Sequence, residues 1–262
     1  MSLLFTDAGA QIVDCGSAAS LDDLTTATAL YWVYCTNAAP TTVRPLAAKV
    51  GPDYFIPYIL GSGGSNRWQI EIQRATTFLI ASATQANMST FGENKWCFIG
   101  CSYNTAGANG DQHLYHGDLI TGVAEAAAYT TQTVGSGSVN SNAAANLVLG
   151  NINAANRGWP GRIALAMIFN RQLSLGEINN QQFNPHVDSG CVLYIHFGRN
   201  STGTQFDYSG NGNHGTVTGA TVAENPPRVP WRYWQGHNFS PAAAGVGDGL
   251  IPGRLQPMGI IW

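Results

Sequence analysis

Residues 207–221 read DYSGNGNHGTVTGAT, and this stretch predicts a tight reversal of the chain followed by strand. Its Asn and Gly residues tolerate the positive φ angles that a tight turn requires, and the Thr and Val residues after them favour extended backbone. We therefore interpret the stretch as the turn and strands of a β-hairpin. What this hairpin completes depends on the segments that precede it.

Short segments rich in aromatic and β-branched residues recur through the first 170 residues, separated by Gly, Asn, Ser and Pro. In the segment 67–73, Trp68, Ile70 and Ile72 alternate with polar residues, which is typical of a strand with one buried face. The same composition predicts further strands. These cover residues 29–35, 78–84, 96–103, 113–119, 146–152 and 162–169.

A single helix is predicted over residues 174–183, where Ser174 can cap the first turn and Glu177 holds the capping-box position. Many short strands with one short helix indicate an all-β sandwich. We assign residues 1–185 to this sandwich. Residues 186–225 form a second, small block that contains the strand CVLYIHFG and the hairpin quoted above.

A third region, residues 226–262, differs in composition from the rest. It holds six of the twelve prolines and several aromatic residues, whereas ordinary disordered segments are poor in aromatic residues. We expect an extended arm that docks on another subunit or a partner, with docking on its own domain as the alternative. The residues expected to make this contact are Trp231, Tyr233, Trp234, Phe239, Ile260, Ile261 and Trp262.

Several segments, taken in order, carry a family resemblance. They are QIVDCGSAASLDDLTTATALYWVY (11–34), PLAAKVGPDYFIPYIL (45–60), ENKWCFIGCSYN (93–104), QHLYHGDLI (112–120) and NLVLGNINAANRGWPGRIALAMIFNRQLSLGEI (146–178). The ordered set resembles the laminin-G-like members of the concanavalin A-like jelly-roll superfamily, over roughly residues 5–180. The resemblance implies an antiparallel jelly-roll sandwich.

The order of the segments departs from the family pattern. In that family, a segment similar to CVLYIHFGRNSTGTQFDYSGNGNHGTVTGATV comes before the VDCG strand, whereas here it follows as residues 191–222. The resemblance therefore implies a circular permutation of the first hairpin. Without that hairpin a sheet edge would be bare, and bare edges invite pairing. We expect residues 191–222 to complete their own sandwich rather than a neighbour's, because the linker 181–190 is short. A truncated second repeat is a further alternative.

Composition limits the classes of partner. Charged residues are 10% of the chain, against roughly 25% in an ordinary soluble domain, and lysine occurs only as Lys49 and Lys95. A surface of hydroxyls and amides suits packing among other proteins or exposure outside a cell.

The net charge of -3 and the scattered arginines give no support for nucleic-acid binding. No apolar run approaches the ~18 residues of a membrane span, and MSLLFTDAG lacks the features of a signal peptide.

Enzymatic activity is not expected. Retaining glycoside hydrolases need two carboxyl groups about 5–5.5 Å apart, which on one strand face means acidic residues spaced by two or four. Glu71 instead has Gln69 and Gln73 two positions away. The sequence contains neither a G-x-S-x-G elbow nor a phosphate loop, and GSGGSN at residues 61–66 is interpreted as a hairpin loop because no helix follows it.

No cofactor is expected either. His113 and His116 should point to opposite faces of a strand, so they do not form a metal pair. Some laminin-G-like domains hold a structural calcium ion at the rim of the sandwich, and the resemblance makes loop aspartates candidate ligands; solvated turn residues are the alternative. These aspartates are Asp22, Asp23, Asp53 and Asp118.

The five cysteines are expected to be small buried hydrophobic residues, with an intermolecular cross-link as the alternative. Cys97 and Cys101 would lie about 13 Å apart on one strand, too far for a disulfide. Among the aromatic residues, Trp32 and Trp96 resemble core positions of the family. Trp159 is the best candidate for stacking on a sugar, although the resemblance implies that it packs.

The sequence favours a non-enzymatic structural protein of a bacteriophage particle, a capsid decoration protein or another surface component with a carbohydrate-binding face. The stretch SGNGNHGTVTGA near a P-x-x-P-W tail resembles what laminin-G-like phage virion proteins carry. The expected partners are the major capsid protein, further copies of this chain and glycans. The expected location is the virion surface, after synthesis in the host cytoplasm. The alternative is a free-standing carbohydrate-binding lectin or adhesin, which would need an export route.

Overall fold

The computed structural model describes residues 1–7, 9–38, 40–50, 54–62, 65–198 and 203–224. Within these residues the paired strands are antiparallel, and they confirm the predicted all-β class. Two short 3-10 helices are present at Ala19–Leu21 and Gln85–Asn87, and one α-helix, α1, at Leu175–Phe183. The strands are β1 (Ser2–Phe5), β2 (Ile12–Asp14), β3 (Thr26–Cys35), β4 (Arg44–Pro45), β5 (Ala47–Val50), β6 (Tyr54–Ser62), β7 (Ser65–Ile72), β8 (Leu79–Thr84), β9 (Trp96–Asn104), β10 (His113–Asp118), β11 (Ala124–Glu125), β12 (Thr131–Thr133), β13 (Leu147–Leu149), β14 (Gly161–Phe169), β15 (Cys191–His196), β16 (Thr204–Gln205), β17 (Gly215–Thr218) and β18 (Thr221–Ala223).

Two sheets form the sandwich within the described residues. The eight-stranded sheet has the order β11-β10-β9-β3-β14-β1-β18, and β15 also pairs with β14. The ten-stranded sheet has the order β12-β8-β7-β6-β5-β13-β2-β17-β16, and β4 pairs with β6. The hairpin predicted around residues 61–66 joins β6 to β7, where Ser62 faces Ser65 across the ladder.

Alternation along the strands sorts apolar side chains into two clusters. On β3, Tyr31 and Val33 lie in the core between the sheets, whereas Trp32 lies in a second cluster on the outer face of the eight-stranded sheet. On β7, Trp68 and Ile70 enter the core from the ten-stranded sheet. The eight-stranded sheet is therefore buried on both faces.

Helix α1 lies on that outer face. Ser174 Oγ accepts a hydrogen bond from the Glu177 N–H, and Glu177 Oε2 accepts one from the Ser174 N–H, so the predicted capping box is confirmed. The Arg171 guanidinium lies 2.8 Å from Glu177 Oε1 and, together with Ser174, lowers the pKa of Glu177 to about 2. Ile178 packs into the second apolar cluster. No helix in the described ranges has the length and hydrophobicity that a membrane span requires.

One edge of β14 is covered by two separate pieces of the chain. Strand β3 pairs with the opposite edge of β14. On the edge in question, β15 and β1 both pair with β14, one after the other. His196 of β15 faces Leu165 and Leu3 of β1 faces Ile163, so the two pieces run in the same direction and form one interrupted edge strand. We call β15 and β1 together the composite strand.

The segment from β15 to β18 packs on the sandwich of its own chain. Strands β16 and β17 form a hairpin in the ten-stranded sheet, where Val217 faces Val13 of β2. The loop between them contains Gly210 and Gly212, with φ of 90° and 75°, as the turn chemistry predicts. The chain then turns at Gly219 (φ 72°), and β18 crosses to the other sheet to pair with β1.

The junction of the composite strand generates a first prediction. Gly198, which follows β15, has φ +81°, and a Cβ at this position would lie 2.6 Å from the Cβ of Met1 and 2.7 Å from its carbonyl carbon. An alanine would adopt a strained φ and displace the start of β1. We expect Gly198→Ala to lower the free energy of unfolding by about 1–3 kcal/mol, measured by urea denaturation.

Gly176→Ala is the matched control. Gly176 lies in α1, and nothing lies within 4 Å of the position that its Cβ would take. This variant should be neutral or more stable by up to about 1 kcal/mol, because alanine is the better helix former. If Gly198→Ala were as stable as Gly176→Ala, the close junction would not matter for folding.

Candidate functional site

The aromatic residue that the sequence favours for sugar stacking is buried. Trp159 has no exposed surface and belongs to the core between the sheets, as the resemblance implies. Trp32 and Trp96 lie in the second apolar cluster, so their predicted packing is confirmed. Trp32 Nε1 also donates a 3.0 Å hydrogen bond to the carbonyl of Gln182 in α1. None of these three indole rings presents a face to a ligand.

Two other aromatic side chains are exposed, in the connection between β16 and β17. Phe206 is 49% exposed and Tyr208 is 40% exposed, whereas Asp207 between them is 7% exposed. Successive side chains of an extended segment point to opposite sides. Asp207 therefore points inward, and the rings on either side of it point outward. Neither ring was predicted as a site residue, although the alternation of two aromatic residues about a turn aspartate is a usable signal in the sequence.

Asp207 fixes this segment by accepting four hydrogen bonds. Its Oδ1 accepts from the N–H groups of Tyr194 (2.8 Å) and Ser209 (2.9 Å). Its Oδ2 accepts from Ser209 Oγ (2.7 Å) and from the Asn213 N–H (3.0 Å). Asn213 Nδ2 in turn donates to the Val192 carbonyl at 2.7 Å. Hydrogen bonds to a buried carboxylate are strong, so the motif of Asp, Ser and Asn holds the loop against β15.

Each of the two exposed rings contacts further aromatic side chains, in two separate groups. The ring centroid of Tyr208 lies 6.2 Å from that of Tyr194 and 6.3 Å from that of His196, and the latter two are 4.8 Å apart. The Phe206 ring meets the His214 ring edge to face at 5.4 Å. We call these five residues the aromatic platform.

Hydrogen bonds fix the histidines of the aromatic platform. The hydroxyl of Tyr194 donates to the Pro185 carbonyl at 2.9 Å, and its oxygen lies 2.6 Å from His196 Nε2. Because the hydroxyl has a single proton, His196 Nε2 must carry the proton of that second bond. His214 Nδ1 accepts from the Asp207 N–H at 3.0 Å, which places the proton of the neutral ring on Nε2.

This arrangement suits a ligand with an apolar face and a polar rim. The faces of aromatic rings carry negative charge and attract polarised C–H groups. A pyranose ring presents such C–H groups on one face and hydroxyl groups around its edge. The aromatic platform offers exposed ring faces together with the His214 Nε2–H donor, so it can stack on a sugar and hydrogen-bond its rim.

The rim aspartates that fall within the described residues are engaged by neighbouring groups of the protein. Asp22 pairs with the buried ammonium group of Lys49, which also donates to the Asn142 carbonyl at 2.9 Å. Asp23 accepts from the Asn142 N–H at 2.7 Å. Asp118 accepts two N–H groups of its own turn. In the part of the chain that is described, no three His, Cys, Asp or Glu residues are grouped to hold a metal ion, so the calcium ion stays a prediction.

His113 and His116 make different contacts, and the cysteines are buried as the sequence predicts. His113 Nδ1 lies 2.8 Å from Glu125 Oε1, whereas His116 is buried, with Nδ1 2.8 Å from Thr90 Oγ1. The five cysteines are all buried and free. Burial raises the pKa of Cys97 to about 11. Their burial leaves these thiols inaccessible for a cross-link between subunits.

The residues predicted to bind a partner lie outside the described residues, as does Asp53, and their roles stay predictions. The partner-binding set is Trp231, Tyr233, Trp234, Phe239, Ile260, Ile261 and Trp262.

No protein-family model and no curated protein matches the chain, but solved structures do. A putative carbohydrate binding protein from Bacteroides ovatus superposes with a TM-score of 0.53 at 12% identity, over 85% of this chain and 60% of that one. Domains LG4-5 of the mouse laminin alpha1 chain give a TM-score of 0.41 at 12% identity, over 66% and 43%. Tailspike protein 2 of an Escherichia coli O157:H7 bacteriophage gives 0.43 at 10% identity, over 71% and 25%.

The predicted jelly roll is confirmed. Two antiparallel sheets with this strand order, together with the similarity to the Bacteroides protein, establish a laminin-G-like, concanavalin A-like sandwich. At 12% identity the similarity concerns the fold alone. The chain spans 60% of the length of that protein.

Buried His116 generates a second prediction. Desolvation lowers the pKa of His116 below its ordinary value of 6.5. The unfolded state therefore binds a proton at a pH where the folded state does not, so stability is intact above about pH 6.5 and falls as the pH drops below it. We expect His116→Gln to reduce that loss by an amount on the order of 1 kcal/mol, measured by urea unfolding at about pH 7.5 and about pH 5.5.

The exposed residue His186 supplies the control for this measurement. His186→Gln should lose as much stability between the two pH values as the wild-type protein loses. An equal loss in His116→Gln would mean that His116 does not produce the dependence.

Proposed function

We propose that this chain is a non-enzymatic, glycan-binding sandwich on the surface of a bacteriophage particle, as a capsid decoration protein or another surface component. The observation that carries the glycan-binding part is the aromatic platform. Phe206 and Tyr208 are exposed although a buried aspartate fixes the backbone between them. Exposed rings on a rigid loop cost solvation free energy, and a ligand that covers them recovers it.

The fold and the side chains on the strands support a binding role rather than catalysis. The fold is shared with a protein described as a putative carbohydrate binding protein. Glycoside hydrolysis needs two carboxyl groups on one surface. On β7, Glu71 has Gln69 two positions away, and Gln69 Nε2 donates to Glu71 Oε2 at 3.2 Å. Glu71 thus lies beside an amide where a hydrolase would need a second carboxyl group.

The virion role is supported by composition and by the arm. A chain with 10% charged residues presents a neutral, polar surface, which suits close packing in a shell. The arm, residues 226–262, concentrates proline and aromatic side chains, and aromatic residues dominate the energetics of protein interfaces. We infer that the arm binds the major capsid protein or further copies of this chain, and that the protein reaches the virion surface from the host cytoplasm.

Substitution of the platform tests glycan binding. We expect full-length protein to bind at least one neutral hexasaccharide from a panel of maltohexaose, cellohexaose and chitohexaose, measured by isothermal titration calorimetry. Tyr208→Ala and Phe206→Ala should each weaken that binding by about tenfold or more, because each removes a ring face. Tyr208→Phe keeps the ring and should keep most of the affinity.

Ile120→Ala is the control, because Ile120 is also apolar and is 88% exposed, in the turn after β10. It should bind as the wild type does. If both Phe206→Ala and Tyr208→Ala bound the glycan as tightly as the wild type, the aromatic platform would not be the binding site.

Truncation tests the arm. We expect the full-length chain to be an oligomer and a chain ending at Glu224 to be a folded monomer, measured by size-exclusion chromatography with light scattering and by circular dichroism. The physical reason is that removal of the aromatic side chains of the arm removes the apolar area available for association. If both proteins were folded monomers, association through the arm would be refuted, and a free-standing lectin would become the better hypothesis.

A further inference from the structure

Lys49 is buried in the sandwich, which is unusual for a lysine. It is 1% exposed and lies in β5 of the ten-stranded sheet, opposite Leu147 of β13. Lysines are almost never fully buried unless they are paired. The second lysine of the chain, Lys95, is exposed, as is usual. The burial of Lys49 therefore has to be explained by the groups around its side-chain nitrogen.

Three polar groups from separate segments surround Lys49 Nζ. The nitrogen forms an ion pair with the Asp22 carboxylate. It lies 3.1 Å from Oδ1 of the Asn142 side-chain amide and 2.9 Å from the main-chain oxygen of the same residue. Asp22 follows the 3-10 helix at Ala19–Leu21, and Asn142 lies in the connection between β12 and β13. An amine, a carboxylate and a carboxamide thus meet at one point of the fold.

The side-chain amide of Asn142 is held in one orientation. The Asp23 N–H donates to Asn142 Oδ1 at 3.0 Å, and the Asn142 N–H donates to Asp23 Oδ1 at 2.7 Å. Oδ1 therefore accepts two hydrogen bonds, one from Asp23 and one from Lys49. Donors at a carbonyl oxygen polarise the C=O bond and stabilise the negative charge that nucleophilic attack places on the oxygen. The carbon bound to Oδ1, Asn142 Cγ, is thereby prepared for attack.

Apolar side chains surround the same point. A cavity of about 10 Å³ adjoins Lys49 and Asn142, which is about the space of one water molecule. Its other lining side chains are Leu21, Leu24, Tyr103, Leu147 and Ile168. Charges in such surroundings are costly, and passage of a proton from Lys49 to Asp22 leaves a neutral amine beside a neutral acid. A desolvated lysine amine is a good nucleophile.

We propose that Lys49 and Asn142 join in an intramolecular isopeptide bond, which the folded chain forms by itself with Asp22 as the proton carrier. Lys49 Nζ first gives a proton to Asp22, and its lone pair then forms a bond to Asn142 Cγ. The Cγ–Nδ2 bond breaks as Asp22 returns a proton to Nδ2 and takes a second one from Nζ. Ammonia leaves and acquires the remaining proton as ammonium. Nothing is oxidised or reduced, so the step needs no co-reactant.

The bond goes beyond the proposed function and depends on no part of it. Lys49 and Asn142 are 93 positions apart in the sequence. A covalent link between residues so far apart removes conformational freedom from the unfolded chain, as a disulfide does. The chain gains this constraint although its five cysteines are free.

The mass of the intact full-length protein tests the bond. We expect the wild-type chain to be lighter than its sequence by about 17 Da, the mass of the ammonia that leaves. Trypsin should not cleave after Lys49, and fragmentation should locate Lys49 and Asn142 in one cross-linked peptide. This peptide distinguishes the bond from loss of ammonia at another asparagine.

Three variants assign the roles. Lys49→Arg keeps a positive charge beside Asp22 but lacks the amine, and Asp22→Asn keeps the shape of the carboxylate but cannot carry the proton. Each should have the full mass of its own sequence. Lys95→Arg is the matched control, because Lys95 is exposed, and it should keep the loss of about 17 Da. An Asp22→Asn variant that still lost ammonia would overturn the role of Asp22.

The wild-type protein alone can overturn the bond, whether or not the variants fold. A folded wild-type chain with the full mass of its sequence and normal cleavage after Lys49 would mean that Lys49 and Asp22 form only a buried ion pair. A loss of about 18 Da with Lys49 joined to Asp22 would correspond to loss of water and would overturn the assignment to Asn142.

Discussion

The sandwich depends on complete pairing of β14. This strand contributes side chains to both apolar clusters, and β3 satisfies only one of its two edges. The other edge is satisfied by β15 and β1, which come from distant parts of the sequence and meet near Gly198. A bare edge at the centre of a sheet would expose unpaired backbone groups and template association. The permuted order is compatible with a complete sheet because, along β14, β1 begins where β15 ends.

The chain segment that follows β15 connects the fold to the proposed binding role. The chain passes from β15 in one sheet to β16 and β17 in the other. Asp207 stabilises this crossing by accepting hydrogen bonds from the N–H of Tyr194 in β15 and from the N–H of Asn213 just before β17. Because neighbouring side chains of an extended segment point to opposite sides, the inward carboxylate of Asp207 leaves the rings of Phe206 and Tyr208 facing solvent. A rigid loop that presents its rings at no further cost of ordering is a good basis for binding.

Much of the fold follows from local pattern. Strands β3, β9 and β14 are long enough for alternation to identify them, and the capping box of Ser174 and Glu177 fixes α1. Strands β1, β11 and β12 were not predicted, because segments of two to four residues carry no measurable period and become strands only through their partners. The family resemblance supplied the order of the strands, which periodicity alone could not.

The candidate site was less predictable than the fold, because burial determines which side chains a ligand can reach. Trp159 lies in a Gly- and Pro-rich segment that reads as an exposed loop, yet its ring is in the core. Lys49 is one of only two lysines and would be expected at the surface, but its ammonium is buried against Asp22 and Asn142. In both cases tertiary packing overrides residue type, and no local signal in the sequence reports it.

The outer face of β7 and β8 shows the opposite relation between sequence and structure. The alternation of Gln69 and Glu71 with apolar neighbours predicted a strand and no more, because any solvated face would look the same. Burial of Ser82 and Gln69, and a Ser82 hydroxyl without a hydrogen-bond partner among the described residues, distinguish this face from ordinary surface. Natural sequences break the rule of satisfied polar groups mainly where function requires it. A surface with so few charges presents hydroxyls, amides and rings to whatever it contacts.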